Sequence, residues 1–211
     1  MKKDTLRVKE AVADMPYFSV QGLLSLGVEK KYLRIILSRM KKRGDIVTLK
    51  KGMYVSSSYL EKIKAKGSYN SYLEFLTGVI YSPSYLTGEY VLGEHNVLSE
   101  SFYGFSAVSV KKTNKIENSL GKFYYHAIKK ELFCGYEAVT TGGFTVYKAT
   151  LAKALFDFLY LRKGSVVSDD YLKSLRLNTE EVGKEDMEEF VGYVKKEGSE
   201  KMIKIAKFYA E

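Results

Sequence analysis

Residues 19 to 55 read SVQGLLSLGVEKKYLRIILSRMKKRGDIVTLKKGMYV, and this stretch decides the first part of the fold. Ser19 is a good N-cap, and Val20, Leu23 and Leu24 would share one face of the helix it starts. Gly27 ends that helix, because glycine takes the left-handed backbone conformation that a sharp turn into a second helix needs. Glu29 comes next, in the first turn of the second helix, where a negative side chain suits the helix dipole.

The second helix, roughly Glu29 to Arg43, divides cleanly when its residues are placed at about 100° each. Leu33, Ile36, Leu37 and Met40 fall on one side. Lys30, Lys31, Arg34, Ser38, Lys41 and Lys42 fall on the other, Tyr32, Arg39 and Arg43 lie along the border, and Ile35 is the one apolar residue on the basic side. A solvated helix face would show the same charge run. The residues after the helix favour a second reading. Gly44 stops the helix, and the β-prone runs Ile46–Leu49 and Met53–Val55 flank Lys50, Lys51 and Gly52, so a short hairpin carries two lysines at its tip. A turn, a basic helix and a basic-tipped hairpin in that order are the outline of a winged helix-turn-helix. Its helix enters the DNA major groove, and its wing touches phosphates beside it. The DNA-binding residues expected are Lys30, Lys31, Arg34, Ser38, Arg39, Lys41, Lys42, Arg43, Lys50 and Lys51.

The whole chain, at 211 residues, suffices for one large domain or two small ones. Net charge is +9, and residues 1 to 66 hold 16 Lys or Arg against 6 Asp or Glu, while residues 67 to 211 hold 18 against 19. The basic excess therefore belongs to the N-terminal third, which marks that part as the polyanion-facing module. No apolar run reaches the roughly 18 residues of a membrane span, and MKKDTLRVKEAVADM reads as an amphipathic first helix and not as a signal peptide. A cytoplasmic location with no membrane partner is expected.

Residues 5 to 14 should form the first helix, with Leu6, Val8, Val12 and Met15 packing under the helix-turn-helix pair. SSSYLEKIKAKGSYNS, after the wing, reads as a polar connection. Its Lys62, Lys64 and Lys66 either stand in solvent or add phosphate contacts. Tyr69 to Ile80 is a helix with Leu73, Leu76 and Ile80 along one side, and Tyr85 to Leu98 resumes at mostly helical spacing after Pro83. From Phe105 the period changes: AVSVKK, KFYYHAI, YEAVTT and FTVYKAT are β-branched and aromatic runs between turn residues, which predicts an antiparallel sheet. Leu151 to Leu161 is a helix with Leu151, Leu155, Phe158 and Leu159 as its stripe. The tail is helical and charge-rich, with Phe190, Val194, Met202, Ile205 and Phe208 apolar. The fold class is thus α+β: a winged helix-turn-helix over residues 1–58, a linker over 59–68, and an α+β domain over 69–211 with an antiparallel sheet and C-terminal helices.

The sequence holds no P-loop, Rossmann glycine fingerprint, HExxH or GxSxG, so no enzyme, catalytic residue or cofactor is expected. Cys134 is the single cysteine and, with only His95 and His126 beside it, no zinc site is expected; it reads as a small buried apolar residue. Asp169 and Asp170 point in different directions and cap a helix. Metal-dependent cleavage of nucleic acid would need them as ligands. The acidic run Glu180, Glu181, Glu185, Asp186, Glu188 and Glu189 is read as a solvated helix face. His126, followed by Lys129 and Lys130, has no nucleophile near it in sequence.

With both halves read, the chain resembles the AbiEi antitoxin family, regulators from toxin-antitoxin pairs linked to abortive phage infection. GVEKKYLRIILSRMKKRGDIVTLKKGMYV, residues 27–55, is similar to that family's helix-then-wing pattern. SPSYLTGEYVLGEHNVL at 82–98 resembles its Pro-Ser-Tyr segment leading into a short helix. KFYYHAIKKELFCGYEAV at 122–139, followed by KATLAKALFDFLYLR at 148–162, resembles its strand, glycine and Lys-Ala-Leu-x-Asp helix. Leu151 and Ala152 stand where family members often carry Pro and Glu before Lys153. Lys153 and Asp157 are read as an i, i+4 pair worth a few tenths of a kcal/mol. The resemblance implies repression of the protein's own operon at a duplex operator with inverted repeats, and neutralisation of a nucleotidyltransferase-like toxin without a required stable complex. The alternative reading is a winged-helix regulator whose Tyr-rich C-terminal strands sense a small ligand.

Overall fold

The computed structural model describes residues 2–100 and 102–210. The chain is α+β and divides into two compact units. One holds the residues up to Leu73 together with Ile116–Gly121, and the other holds Glu74–Lys115 and the chain from Lys122 onward.

In the first unit the order is α1 (Lys2–Val12), β1 (Phe18–Ser19), a 3-10 turn (Gly22–Leu26), α2 (Lys30–Lys42), the hairpin β2 (Ile46–Lys50) and β3 (Met53–Ser56), α3 (Ser57–Ala65), and the start of α4 (Tyr69–Ile80). The sheet order is β1-β3-β2, with antiparallel pairs Phe18↔Tyr54 and Val47↔Val55. Its core joins Val8, Val12, Phe18, Leu23, Val28, Leu33, Ile36, Leu37, Met40 and Ile46. Burying each such side chain stabilises the unit by about 1.5–3 kcal/mol.

Three expectations need correcting here. Leu6 and Met15 are exposed, so α1 packs through Val8 and Val12 alone of the four. The stretch after Ser19 is a five-residue 3-10 turn and not an α-helix: Ser19 is drawn into the sheet opposite Met53, its Oγ accepts the Gly22 N–H at 3.1 Å, and Gly27 closes the turn at φ 70°. Residues 57–65, read as connection, are helical because Ser56 caps them, its Oγ accepting the Tyr59 N–H at 3.1 Å, and Leu60 and Ile63 are buried. Polar composition hid that two-residue apolar stripe.

A six-stranded sheet runs in the order β6-β7-β5-β4-β9-β8 and belongs to the second unit, apart from Ile116–Asn118 of β6 and Gly121 of β7. Its strands are β4 (Tyr85–Leu86), β5 (Phe105–Ser109), β6 (Asn114–Asn118), β7 (Gly121–Ala127), β8 (Tyr136–Thr141) and β9 (Phe144–Ala149). The helices are α5 (Glu89–Glu94), α6 (Leu151–Arg162), α7 (Asp169–Ser174), α8 (Lys184–Glu197) and α9 (Glu200–Ala210).

The sheet is mixed, where an antiparallel one was expected. β8 and β9 pair antiparallel across Gly142–Gly143, but β5 runs parallel to β7, and β4 parallel to β9. Burial explains the order: β7 carries Phe123 and Tyr125 and takes an interior place, while polar NKIEN, β6, goes to the rim. Tyr85 and Leu86, expected at the head of a helix, form a buried two-residue central strand, and only Glu89–Glu94 is helical. The tail is helical as expected, with Phe190, Val194, Met202 and Ile205 buried and Phe208 partly so.

Candidate nucleic-acid interface

The geometry of α2 is set at its two boundaries. Gly27 turns the chain, its N–H donating to the Leu24 carbonyl at 3.0 Å, and Glu29 opens the helix as its N-cap residue. At the far end the Asp45 N–H reaches the Met40 carbonyl at 2.9 Å and the Gly44 N–H reaches Lys41 at 3.0 Å, with Gly44 at φ 76°. This is a Schellman closure, and glycine satisfies its left-handed position without strain. Asp45 then ties three segments together, accepting from Lys9 at 2.9 Å on α1 and from Arg43 at 3.0 Å. The Lys9 ammonium beside it, with help from Arg43, holds the Asp45 carboxyl below the usual carboxylate range.

Between these ends Leu33, Ile36, Leu37 and Met40 are buried. Lys30, Lys31, Arg34, Ser38, Arg39, Lys41, Lys42 and Arg43 are all exposed, as the wheel predicts. Among the described residues, Lys30, Lys31, Arg34, Arg39, Lys41 and Lys42 form no ion pair. Arg43 is the exception, being committed to Asp45. Ile35 stands 39% exposed among these cations. The hairpin bends at a bulge between Thr48 and Lys50, and Gly52 at φ 80° completes a tip on which Lys51 is exposed and Lys50 half-buried. Ile116–Gly121 belongs to this unit, where the Asn118 amide donates to the Leu49 carbonyl at 2.9 Å. Of the three lysines after the wing, Lys62 pairs with Asp14 at 2.5 Å and Lys64 lies 4.9 Å over the Tyr69 ring, so two of the three possible extra phosphate contacts are partly engaged.

The second unit holds polar clusters that sequence reasoning undervalued. Lys153 and Asp157 are 0% exposed and bonded to each other. Thr87 and Tyr85 donate to the other carboxylate oxygen at 2.8 and 3.1 Å. The Lys153 ammonium lies 4.6 Å from the Phe156 ring centre and 5.4 Å from that of Tyr193. Burial pushes the Asp157 carboxyl up, against the pull of Lys153 and the two hydroxyl donors. The pair is thus no surface i, i+4 contact but a buried ion pair. Gly135 makes room for it, since a Cβ there would overlap Tyr193 Oη. Only the near-continuous apolar run LAKALFDFLYL signals that a helix so placed is buried all round.

Two further clusters are linked to α5. Lys148 is held by Glu74 at 3.2 Å and Glu94 at 2.9 Å, with the Tyr90 hydroxyl on Glu74 at 2.6 Å. Glu89 binds Arg162, and Ser106 donates to it at 2.8 Å. Burial works to raise the Glu89 carboxyl, but Arg162 leaves it below its usual range. Both clusters belong to the second unit.

Other expectations resolve individually. Cys134 is half-buried and not buried, because the chain leaves the sheet there, and Lys196 Nζ lies 3.4 Å from its sulfur. Asp169 and Asp170 occupy the exposed first turn of α7, after Ser168 as N-cap. Among the described residues no three His, Cys, Asp or Glu side chains gather as metal ligands, and no helix is long and apolar enough to cross a membrane. His126 is half-buried on β7, where burial lowers its pKa. Tyr85 and Tyr125 on the Tyr-rich strands are spent in the core. No family model matches the chain, and no curated protein matches it significantly.

Proposed function

We propose that residues 1–58 are a winged helix-turn-helix that binds duplex DNA, that the protein acts in the cytoplasm as a repressor of its own operon at inverted-repeat operators, and that it counteracts a nucleotidyltransferase-like toxin. The observation that carries DNA binding is the outer side of α2: six cations without an ion-pair partner among the described residues, on a helix whose inner side is fixed in the core. Cations left unpaired by their own chain are what release counterions from a polyanion. The β1-β3-β2 sheet beside a helix and a 3-10 turn supports the same reading, with the 3-10 turn standing in place of the first helix of the pair.

In this arrangement Lys31, Arg34, Ser38 and Lys42 face base edges, and Lys30, Arg39, Lys41, Arg43, Lys50 and Lys51 hold phosphates. Arg34, near the middle of the stripe, reads a guanine edge, and Ile35 meets a thymine methyl. The antitoxin role is carried by the resemblance of residues 82–98, 122–139 and 148–162 to AbiEi antitoxins. Footprinting on the DNA upstream of the gene, with reporter repression, tests the first part. Protection of two symmetric half-sites and repression are expected; uniform low-affinity binding with no repression contradicts it. Co-expression with a nucleotidyltransferase-like toxin tests the second, and growth arrest unrelieved by this protein would end it.

A further inference from the structure

The two rims of the six-stranded sheet are built differently. β6, Asn114–Asn118, carries Lys115 and Glu117, the charged residues that natural sheets place on an edge to discourage pairing. β8, Tyr136–Thr141, is the opposite rim, and its first five residues are all exposed. Its sequence YEAVTT has one charge, no proline and four β-branched or aromatic residues, the composition of a strand that pairs well. Val139, and Tyr147 opposite Ala138 on the other face of the hairpin, stand 39% and 50% exposed. Nothing in the strand itself protects this edge.

A groove of about 440 Å³ runs along the Glu137 and Val139 face of this edge, with Ala149 and Leu151 among its lining and Glu181 and Asp186 on its far wall. Glu137, Glu181 and Asp186 form no ion pair among the described residues. The cation that shares the groove, Lys148, is already divided between Glu74 and Glu94. The groove is therefore negative beside an open set of backbone donors and acceptors.

We propose that β8 is a docking edge for an extended basic segment of a partner protein, which adds to the sheet as a further strand. Strand addition supplies main-chain hydrogen bonds, and alternate side chains supply specificity. Because strand side chains alternate, every second residue of the incoming segment meets Glu137 and the groove, where Lys or Arg fits. The residues between lie beside Tyr136, Ala138 and Tyr147, where β-branched or aromatic side chains fit. This site is independent of DNA binding by α2.

The probe is a fluorescent peptide of about eight residues alternating lysine and valine, titrated into the full-length protein. Its controls are the same peptide N-methylated at alternate residues, which keeps the charge and loses the donors, and a glutamate–valine peptide. Saturable binding is expected, with hydrogen-exchange protection gained in residues 136–141. Affinity should drop about tenfold or more on N-methylation and in the surface double variant Glu137→Lys/Glu181→Lys. Equal binding by the N-methylated peptide, or protection gained elsewhere with none in β8, overturns the proposal. So does a free protein that already protects these amides as a dimer, since a second copy would then own the edge.

Discussion

Helices α2 and α6 both carry lysines, and they dispose of them in opposite ways. On α2 the cations stand in water without ion-pair partners among the described residues, while on α6 Lys153 is wholly buried and answered by Asp157, Thr87 and Tyr85. The difference lies in where the counter-charge comes from. A cation completed inside the chain is part of the fold, and a row of cations left incomplete points outward to a partner that carries the negative charge. Mutation should separate the two helices cleanly: changes on α6 act on stability, and changes on α2 act on binding.

The largest effect is expected at α6. Asp157→Ala leaves Lys153 buried without its partner and should cost about 3–5 kcal/mol, read from the urea midpoint. The joint change Lys153→Met/Asp157→Leu removes both charges and should recover most of that loss. A double variant as unstable as the single one would mean that packing, and not charge, governs the site. Gly135→Ala should cost about 1–3 kcal/mol, because its Cβ would run into Tyr193 Oη at a backbone φ of 72°.

At α2 the expected pattern reverses. Arg34→Ala should leave stability within about 0.5 kcal/mol, yet lose about 1–3 kcal/mol of discrimination between the operator and a sequence altered at one guanine. Equal loss on every sequence would move Arg34 to the phosphates. Lys50→Ala/Lys51→Ala should weaken all sequences alike and flatten the log-log salt slope by about 0.9 per lost phosphate contact. An unchanged slope removes the hairpin from the interface.

The smallest effect concerns the exposed pairs of Asp45. Its carboxyl is held below the ordinary value, so its contribution is fully present above about pH 4 and is lost as pH falls through the lower folded value. The gap in melting temperature between wild type and Asp45→Asn should therefore be present at pH 7 and close under strong acid. Its size should stay under about 1 kcal/mol, since both partners are half in water. A gap that persists unchanged at low pH would assign Asp45 a role other than ion pairing.

The parts of the fold legible in the sequence are those fixed by local rules. The period of α2 shows which side is buried, and Gly27, Gly44 and Gly52 sit where the backbone turns left-handed. Four of the five strands from Phe105 onward, β5, β7, β8 and β9, are found for a similar reason, since β-branched and aromatic runs are local, while polar β6 reads as a turn. What escaped depends on distant partners. Tyr85 and Leu86 become a strand because β5 and β9 flank them, the sheet is mixed because apolar β7 displaces polar β6 from the interior, and Lys153 is buried because α8 and the sheet cover α6. The basic stripe of the candidate interface was readable residue by residue, except that Arg43 turns back to Asp45 and Lys50 is only half-exposed.

Contact between the outer side of α2 and DNA phosphates and bases, as proposed, is tested most sharply by the salt dependence of duplex binding by fluorescence anisotropy, comparing wild type with Lys30→Ala/Arg39→Ala/Lys41→Ala. Loss of three phosphate contacts should flatten the log-log slope by about 2.7, at about 0.9 per contact, with the unfolding transition unmoved. A slope identical to wild type would place the DNA contacts elsewhere and contradict the account.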